Sequence, residues 1–222
     1  MKFALLFFTL PVLVIHTASG DVSITNGGME RAAASNGAPT GSNQSSPDGW
    51  TSTQIAGWSL SSTDGFTPAE GDDFWLGWVS STDTSDISNS ITGLEGGQTY
   101  LLEFNAASIA PGVSIDGNFT NSEVAQVAFI LTDQSDFSGG ATVFESLSGG
   151  SGLANPNWQS FSYQFTADPG QDTAYLLFGS SDLAGGSTGL FAVDNVSVTA
   201  VPEPGSAVLA FAALGLLGVR RR

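Results

Sequence analysis

The feature that most constrains the fold is the strict alternation of apolar and polar residues in several short segments. In "WQSFSYQFTA", the side chains of Phe161, Tyr163 and Phe165 fall on one face of an extended strand, while serine and glutamine fall on the other. The segment "TYLLEFNA" repeats this pattern around Leu102 and Phe104. Alternation with a period of two residues is typical of strands that bury one face and expose the other to water.

The same reading extends over residues 21–201, where runs rich in Val, Ile, Phe, Tyr and Thr alternate with clusters of Gly, Ser, Asp and Asn. This region shows no long segment with the periodicity of an amphipathic helix. The segment "EVAQVAFILTD" is mostly apolar on both faces, which is typical of a central strand. The sequence therefore predicts an all-β fold, a jelly-roll-type antiparallel β-sandwich made of two packed sheets.

The N-terminal segment predicts export. Lys2 precedes the apolar run "FALLFFTLPVLVI", and the small residues Ala18 and Gly20 follow it. A short apolar core followed by small residues is the pattern of a cleaved signal peptide. We expect residues 1–20 to be removed after Gly20; an uncleaved N-terminal helix is the alternative.

The C-terminal segment "VPEPGSAVLAFAALGLLGVRRR" combines a proline turn, an apolar run and a basic end. A helix over Ser206–Val219 would span about 21 Å, which is shorter than the roughly 30 Å hydrocarbon core of a membrane. Arg220, Arg221 and Arg222 would hold such a helix at the cytoplasmic side. A weak tail anchor or a helix lying on the membrane surface is the alternative interpretation.

This tail resembles the PEP-CTERM sorting signal of bacterial surface proteins, through Pro202, Glu203 and Pro204, the apolar run and the arginines. The resemblance implies transient insertion of a C-terminal hydrophobic sorting helix into the inner membrane and recognition by an exosortase-type processing enzyme. It further implies delivery to the bacterial cell surface, the outer membrane or the extracellular matrix. The expected organisation is a signal peptide at 1–20, a β-sandwich domain at 21–200 and the sorting signal at 201–222.

Composition excludes several kinds of partner and metal. The chain has 21 acidic residues against five cations and no cysteine, for a net charge of −16, and Arg31 is the one cation between residues 21 and 201. Nucleic acid needs clustered Lys or Arg on its partner and is therefore excluded. Zinc is improbable because neither Cys nor His remains once the signal peptide is removed. Calcium, which binds carboxylate and carbonyl oxygens, is the metal that this composition allows.

Asp194 is the strongest candidate for a functional acid. In "LFAVDNVSV" it shares a strand face with Leu190, Ala192 and Val196, and this face is expected to point into the core. A buried carboxylate needs a partner because an unpaired buried charge is costly. A salt bridge to Arg31 and a bound cation are the two solutions, and exposure of the side chain is the third possibility.

A second resemblance favours a bound cation as the partner of Asp194. The segments "ITNGGME", "GLEGGQTYLLEF", "WQSFSYQFTA" and "FAVDNVSV" together resemble the galactose-binding-like sandwiches, which include many carbohydrate-binding modules. In those domains a structural calcium joins the first and last strands. The resemblance implies that Glu30 and Asp194 are its acidic ligands here, with backbone carbonyls completing the shell.

The segment "GDDFWLGWV" is the candidate sugar site. It places Trp75 on the strand face opposite Phe74, and exposure of Trp75 beside Asp72 and Asp73 would form an aromatic platform with hydroxyl acceptors, to which Phe66 could add. The alternative is a central strand that is buried on both faces. The other tryptophans predicted to lie in the core are Trp50, Trp58 and Trp158.

Residues suited to catalysis are scarce, because a serine nucleophile lacks a histidine or lysine base in the exported segment. Only pairs of carboxylates could act, as they do in glycoside hydrolysis. The sequence therefore predicts an exported, surface-sorted, non-catalytic protein that binds or organises extracellular polysaccharide. A purely structural protein of a biofilm matrix without a small ligand is the alternative, and a glycan hydrolase is the third candidate.

Overall fold

The structure is a computed structural model that describes residues 21–30, 46–52, 58–61, 66–79, 85–112, 114–115, 119–120, 122–150, 156–180 and 189–202. All regular elements in these ranges are β-strands. They are β1 (Ser23–Ile24), β2 (Trp58–Ser61), β3 (Asp73–Val79), β4 (Ile87–Thr92), β5 (Thr99–Ser108), β6 (Ser114–Ile115), β7 (Phe119–Thr120), β8 (Glu123–Val124), β9 (Gln126–Thr132), β10 (Thr142–Ser146), β11 (Gln159–Thr166), β12 (Thr173–Gly179) and β13 (Gly189–Ala200).

Two sheets form the predicted sandwich. The first has the strand order β1-β4-β12-β9-β10, and the second has the order β11-β5-β13-β3-β2. All these pairings are antiparallel, and the short strand β8 adds a parallel pairing to β13. Strands β6 and β7 form a separate two-stranded ribbon. The prediction of an all-β antiparallel sandwich is confirmed.

The main core lies between the two sheets and is rich in aromatic rings. Phe104 on β5 contacts Phe178 on β12 edge-to-face, with 4.9 Å between ring centroids. Phe129 on β9 packs against Tyr163 on β11 at 4.6 Å, and Trp50 packs against Phe178 at 6.1 Å. These contacts join strands of both sheets, so the alternating segments of the sequence bury their apolar faces against each other.

A second apolar cluster covers part of the outer face of the second sheet, which has six strands when β8 is counted. Phe74 and Leu76 of β3 are fully buried there, under Phe66 and against Trp158. The Phe74 ring meets the rings of Phe66 and Trp158 at 5.8 and 5.5 Å. Strand β3 is consequently buried on both faces, which is the alternative that the sequence left open for "GDDFWLGWV".

A β-bulge in β13 changes which residues share a face. The pairing of β13 with β5 shifts between Asp194 and Ser197, and Asn195 adopts a left-handed conformation with φ of 49°. As a result, Asp194 lies on the outer face of the sheet, whereas Val196 and Val198 point into the main core. Asp194 shares its face with Leu190 and Ala192 as predicted, but the expectation that Val196 lies on the same face is wrong because the bulge interrupts the alternation.

Several predictions fall outside the described residues. These are the signal peptide at 1–20, the tail from Glu203 onward with Pro204 and the three terminal arginines, the side chain of Trp58, and Arg31. Trp50 is buried as predicted, and Trp158 is half-buried in the second cluster. In the part of the chain that the structure describes, no helix is long and apolar enough to span a membrane.

Candidate functional site

The turn after β1 brings Glu30 to the last strand of the domain. The Asn26 side chain closes this turn: its Oδ1 accepts the Glu30 amide at 3.0 Å, and its Nδ2 donates to the Glu30 carbonyl at 2.6 Å. The Trp50 indole donates to the Asn26 carbonyl at 2.9 Å. Asn26 has φ of 48°, a left-handed conformation that asparagine tolerates better than most residues. The "NGGME" sequence therefore folds into a turn that fixes the position of Glu30.

The Asp194 carboxylate is completely buried and accepts three backbone hydrogen bonds. Its Oδ2 accepts the amides of Ala69 and Glu70 at 2.8 and 3.0 Å, and its Oδ1 accepts the amide of Asn195 at 2.7 Å. The first two donors belong to the loop of residues 66–72, which covers the outer face of the sheet before β3. Asp194 therefore ties this loop to β13.

Burial raises the pKa of Asp194 to about 7. The three backbone amides oppose this shift because they stabilise the ionised carboxylate. The nearby Glu30 carboxylate raises the pKa further, since two like charges disfavour each other. Glu30 and Asp194 therefore lie close enough to interact, and a proton or a bound cation would relieve their repulsion.

The Glu30 side chain lies against the same loop. Its Oε1 accepts the Asp72 amide at 3.1 Å. A Cβ atom added to Gly71 would lie 1.9 Å from this oxygen, and Gly71 has φ of +62°. The positive φ favours glycine here, and a side chain at this position would displace the Glu30 carboxylate.

The donor atoms at this place are oxygens, which suits a hard cation such as calcium and not zinc. The sequence pointed to Glu30 and Asp194 as candidate ligands, and in the structure their carboxylates interact. The sequence did not predict that the 66–72 loop donates two backbone amides to Asp194, because backbone amides leave no side-chain signature in a sequence. Within the described ranges, Glu30 and Asp194 have no third Asp, Glu, His or Cys close enough to form a metal cluster.

The predicted aromatic platform around Trp75 is wrong. Trp75 is fully buried in the main core, where its ring meets that of Phe191 at 5.6 Å. Phe66 is buried in the second cluster, and Asp73 is 8% exposed, so only Asp72 of the predicted set is open to solvent. The 66–72 loop and Trp158 cover Phe74 on the outer face of the sheet at this position, so the predicted set does not form a platform.

An exposed apolar surface lies elsewhere, on the outer face of the five-stranded sheet. We call it the aromatic face and define it by Phe144, Ile130, Leu177 and Tyr175. Phe144 is 52% exposed and the other three are half-buried. Their neighbours along each strand point into the core, as the alternating burial of β10 and β12 shows. Sequence reasoning missed this face, although the alternation of "ATVFES" places Phe144 opposite Val143.

A cleft adjoins the aromatic face where the β9–β10 and β11–β12 loops meet. It has a volume of about 270 Å³ and a floor of Leu131, Phe165 and Ala174, with Asp133 and Asp168 at its rim. A neighbouring groove of about 420 Å³ shares both acids and reaches Tyr175. Both carboxylates are exposed, so the cleft offers hydrogen-bond acceptors to hydroxyl groups.

The C-terminal segment of the chain matches a known sequence family. Residues 200–222 match the family described as the PEP-CTERM protein-sorting motif. The chain carries a PEP-CTERM sorting signal. Such a signal belongs to an exported protein that is sorted to the cell surface, and it implies processing by an exosortase. No curated protein matches the chain in sequence.

Solved structures share the fold of this PEP-CTERM protein. An apo-form cyclase from Fischerella sp. is 14% identical, with a TM-score of 0.51 over 82% of this chain and 97% of that chain. A CBM61 module in complex with β-1,4-galactotriose is 11% identical, with a TM-score of 0.46 over 69% and 90%. A CBM22 xylan-binding domain from Paenibacillus barcinonensis is 13% identical, with a TM-score of 0.43 over 70% and 87%. At 14% identity, the likeness to the cyclase shows a shared fold and does not indicate an activity.

Proposed function

We propose that this PEP-CTERM protein binds extracellular polysaccharide at the cell surface without catalysing a reaction, through the aromatic face. The observation that carries the proposal is the exposure of Phe144. Large apolar side chains that are exposed beside other apolar residues mark binding surfaces. An aromatic ring also suits a sugar, because it covers the apolar face of the sugar ring.

The aromatic face has the length needed for an oligosaccharide. Strand register sets Phe144 opposite Ala128 on β9, and Tyr175 opposite Thr132 on the same strand. Phe144 and Tyr175 are thus two strands and four residues apart, or about 16 Å at the usual spacing of a sheet. The side chains of Ser90 and Thr142 flank the face and offer hydroxyl groups to a bound sugar chain.

Charge narrows the class of polysaccharide. In the described part of the chain every charged side chain is Asp or Glu. Asp133 and Asp172 line the groove that reaches Tyr175. A polymer of uronic acids would be repelled by these carboxylates. Neutral and amine-bearing polysaccharides are therefore the expected ligands.

We also propose a structural calcium ion at Glu30 and Asp194. Support comes from the interaction of the two carboxylates and from the complete burial of Asp194. Calcium would neutralise both charges and join the turn after β1 to β13 and to the 66–72 loop. An Arg31 salt bridge is the competing arrangement, and Arg31 lies outside the described residues.

A structural matrix protein without a small ligand is the second candidate, and the burial of Trp75 favours it because it removes the predicted sugar platform. Hydrolysis is less well supported. A glycosidase needs one carboxyl group whose surroundings keep it protonated. Asp133 and Asp168 at the cleft are both exposed to solvent.

The test uses the protein secreted by an expressing host, with calcium present, against a panel of neutral, amine-bearing and uronic-acid polysaccharides. Phe144→Ala and Tyr175→Ala are compared with Ser162→Ala, which changes an exposed residue on the opposite sheet. We expect binding to neutral or amine-bearing polymers, lost in the first two variants and kept in the third. Absence of binding by the wild type would favour the structural matrix protein.

A further inference from the structure

Strand β11 lies at the end of its sheet, and in the described part of the chain only β5 pairs with it. The Ala167 amide donates to the Gln98 carbonyl of the same ladder at 3.0 Å. Because hydrogen-bonded and non-hydrogen-bonded pairs alternate in an antiparallel ladder, the odd-numbered residues of β11 bond to β5 and the even-numbered ones point their backbone groups the other way. We call these outward-pointing N–H and C=O groups the β11 edge, and they belong to Ser160, Ser162, Gln164 and Thr166.

The β11 edge lacks the features that usually keep sheet edges apart. Edge strands are commonly short, charged, or interrupted by proline or a bulge. The other edge strands fit this rule, since β1 and β2 have two and four residues and β10 has five, with Glu145 among them. By contrast, β11 has eight residues in unbroken register with β5 and contains no proline or glycine. No charged residue lies between Glu145 and Asp168, so β11 carries no charge that would repel a second strand.

We propose that the β11 edge pairs with the same edge of a second copy of this chain, antiparallel and about a twofold axis at Tyr163. The pattern of β11 is complementary to itself in this register, since Ser162 lies opposite Gln164 and Phe161 opposite Phe165. Polar side chains then meet on the exposed face and aromatic ones on the core face.

The backbone groups select the same register. Each outward-pointing residue lies opposite another outward-pointing residue and exchanges two hydrogen bonds with it, and Ser160 pairs with Thr166 in this way. A shift by one residue would set outward-pointing groups against groups already bonded to β5 and would place polar side chains opposite aromatic ones. A shift by two residues would leave one end of the β11 edge beyond the end of the partner strand. A second copy therefore satisfies the whole edge in one arrangement.

The first test measures the oligomeric state of the protein secreted by an expressing host, by sedimentation velocity over a series of protein concentrations. We expect dimers, and tighter association at higher salt because salt screens the repulsion between two acidic chains. Ser162→Pro removes one outward N–H and leaves the ladder to β5 intact, and it should weaken association by about tenfold or more because a carbonyl of the partner strand loses its donor. Ser162→Ala keeps the N–H and should associate as the wild type does.

The proposal does not rest on glycan binding, so Phe144→Ala should also associate like the wild type. Circular dichroism and urea unfolding check that Ser162→Pro is folded. A wild type that stays monomeric at every concentration would overturn the proposal. Equal association of the proline and alanine variants would overturn it as well, because the outward N–H would then be irrelevant.

Disulfide cross-linking tests the register and does not depend on the proline variant. The chain has no cysteine, so a single introduced thiol pairs only with a thiol on a second copy. Residues 162 and 164 of the two copies would have Cα atoms about 5.5 Å apart, within the reach of a disulfide. A mixture of Ser162→Cys with Gln164→Cys should therefore form the mixed disulfide. Ser162→Cys alone should cross-link more slowly, because its two copies lie diagonally at about 7–8 Å.

Glu103→Cys is the matched control. Glu103 is exposed on β5 and pairs with Ser162, so its two copies would be three strand spacings apart, at least about 14 Å. This variant should not cross-link above the rate of random collision. Mixed disulfides no more frequent than in this control would contradict pairing at the β11 edge, and equally fast cross-linking of Ser162→Cys alone would contradict the register.

Discussion

The Gly27 carbonyl accepts a hydrogen bond of 2.7 Å from the Val196 amide, within the bulge in β13. A Cβ atom added to Gly27 would lie 1.8 Å from the Val196 carbonyl oxygen, so the contact depends on glycine. It joins the first turn of the domain to its last strand, beside the paired carboxylates of Glu30 and Asp194. The hydrogen bond that joins the first turn to the last strand therefore lies next to the Glu30 and Asp194 carboxylates.

The first prediction concerns the dependence of stability on pH when calcium is chelated. Because the pKa of Asp194 is raised in the folded state, the folded protein holds a proton that the unfolded chain releases between about pH 4 and pH 7. Folding is therefore favoured by this group at low pH, and the contribution is lost as the pH rises toward 7. Relative to Asp194→Asn, the wild type should lose up to about 4 kcal/mol over this range. Urea unfolding at several pH values measures the difference, and a constant difference would contradict it.

The second prediction concerns calcium itself. A ligand that binds only the folded state at a concentration 100 times its Kd stabilises by about 2.7 kcal/mol. We expect calcium to raise the melting temperature of the wild type, and magnesium to do so less because it prefers a smaller, octahedral shell. Glu30→Gln and Asp194→Asn should each lose this response. An unchanged response in both variants would place the ion elsewhere.

The third prediction compares two glycines with similar backbone conformations. Gly71→Ala would displace the Glu30 carboxylate from its place against the 66–72 loop, whereas a Cβ atom at Gly170, with φ of +88°, meets nothing within 4 Å. Both variants suffer backbone strain of about 1 kcal/mol. Only Gly71→Ala should also weaken the stabilisation by calcium. Calorimetry with and without calcium separates the two effects, and equal calcium responses would argue against a role for the loop.

The fourth prediction contrasts two aromatic residues. Trp75→Ala removes a fully buried ring from the core and should lower the free energy of unfolding by about 3–5 kcal/mol. Phe144→Ala removes an exposed ring and should change it by roughly 0.5 kcal/mol or less. Chemical denaturation measures both values. A large loss of stability in Phe144→Ala would mean that this residue supports the fold and is not free to bind a ligand.

The sandwich could be predicted because alternation along β5 and β11 reports directly which face is buried. The candidate acids could also be found, since Asp194 stands out in an apolar strand and few cations could pair with it. The bulge after Asp194 could not be predicted from the local sequence, since Val196 within it is hydrogen-bonded to Gly27, which is far away in the chain. The direction of Trp75 was likewise hidden, since the 66–72 loop buries Phe74 on the opposite face of β3 and both faces of the strand are therefore apolar.

The aromatic face shows a different limit of sequence reasoning. The segment around Ile130 is apolar on both sides, which is equally compatible with burial on both faces and with an exposed binding surface. Only the register of β9 with β10 and β12 sets Ile130 beside Phe144 and Leu177 on one open face. Pairing between distant strands thus decides whether an apolar residue belongs to the core or to a surface.

The point where the sorting tail leaves the domain also determines how the protein would carry a mechanical load. A pull on the tail acts along β13, which is hydrogen-bonded to β5 on one side and to β3 on the other. Because the force runs parallel to these strands, both ladders of hydrogen bonds are strained together and not one bond at a time. A polysaccharide held on the other sheet would transmit its load through the packed aromatic core. A strand held by two ladders thereby resists shear better than an edge strand held by one.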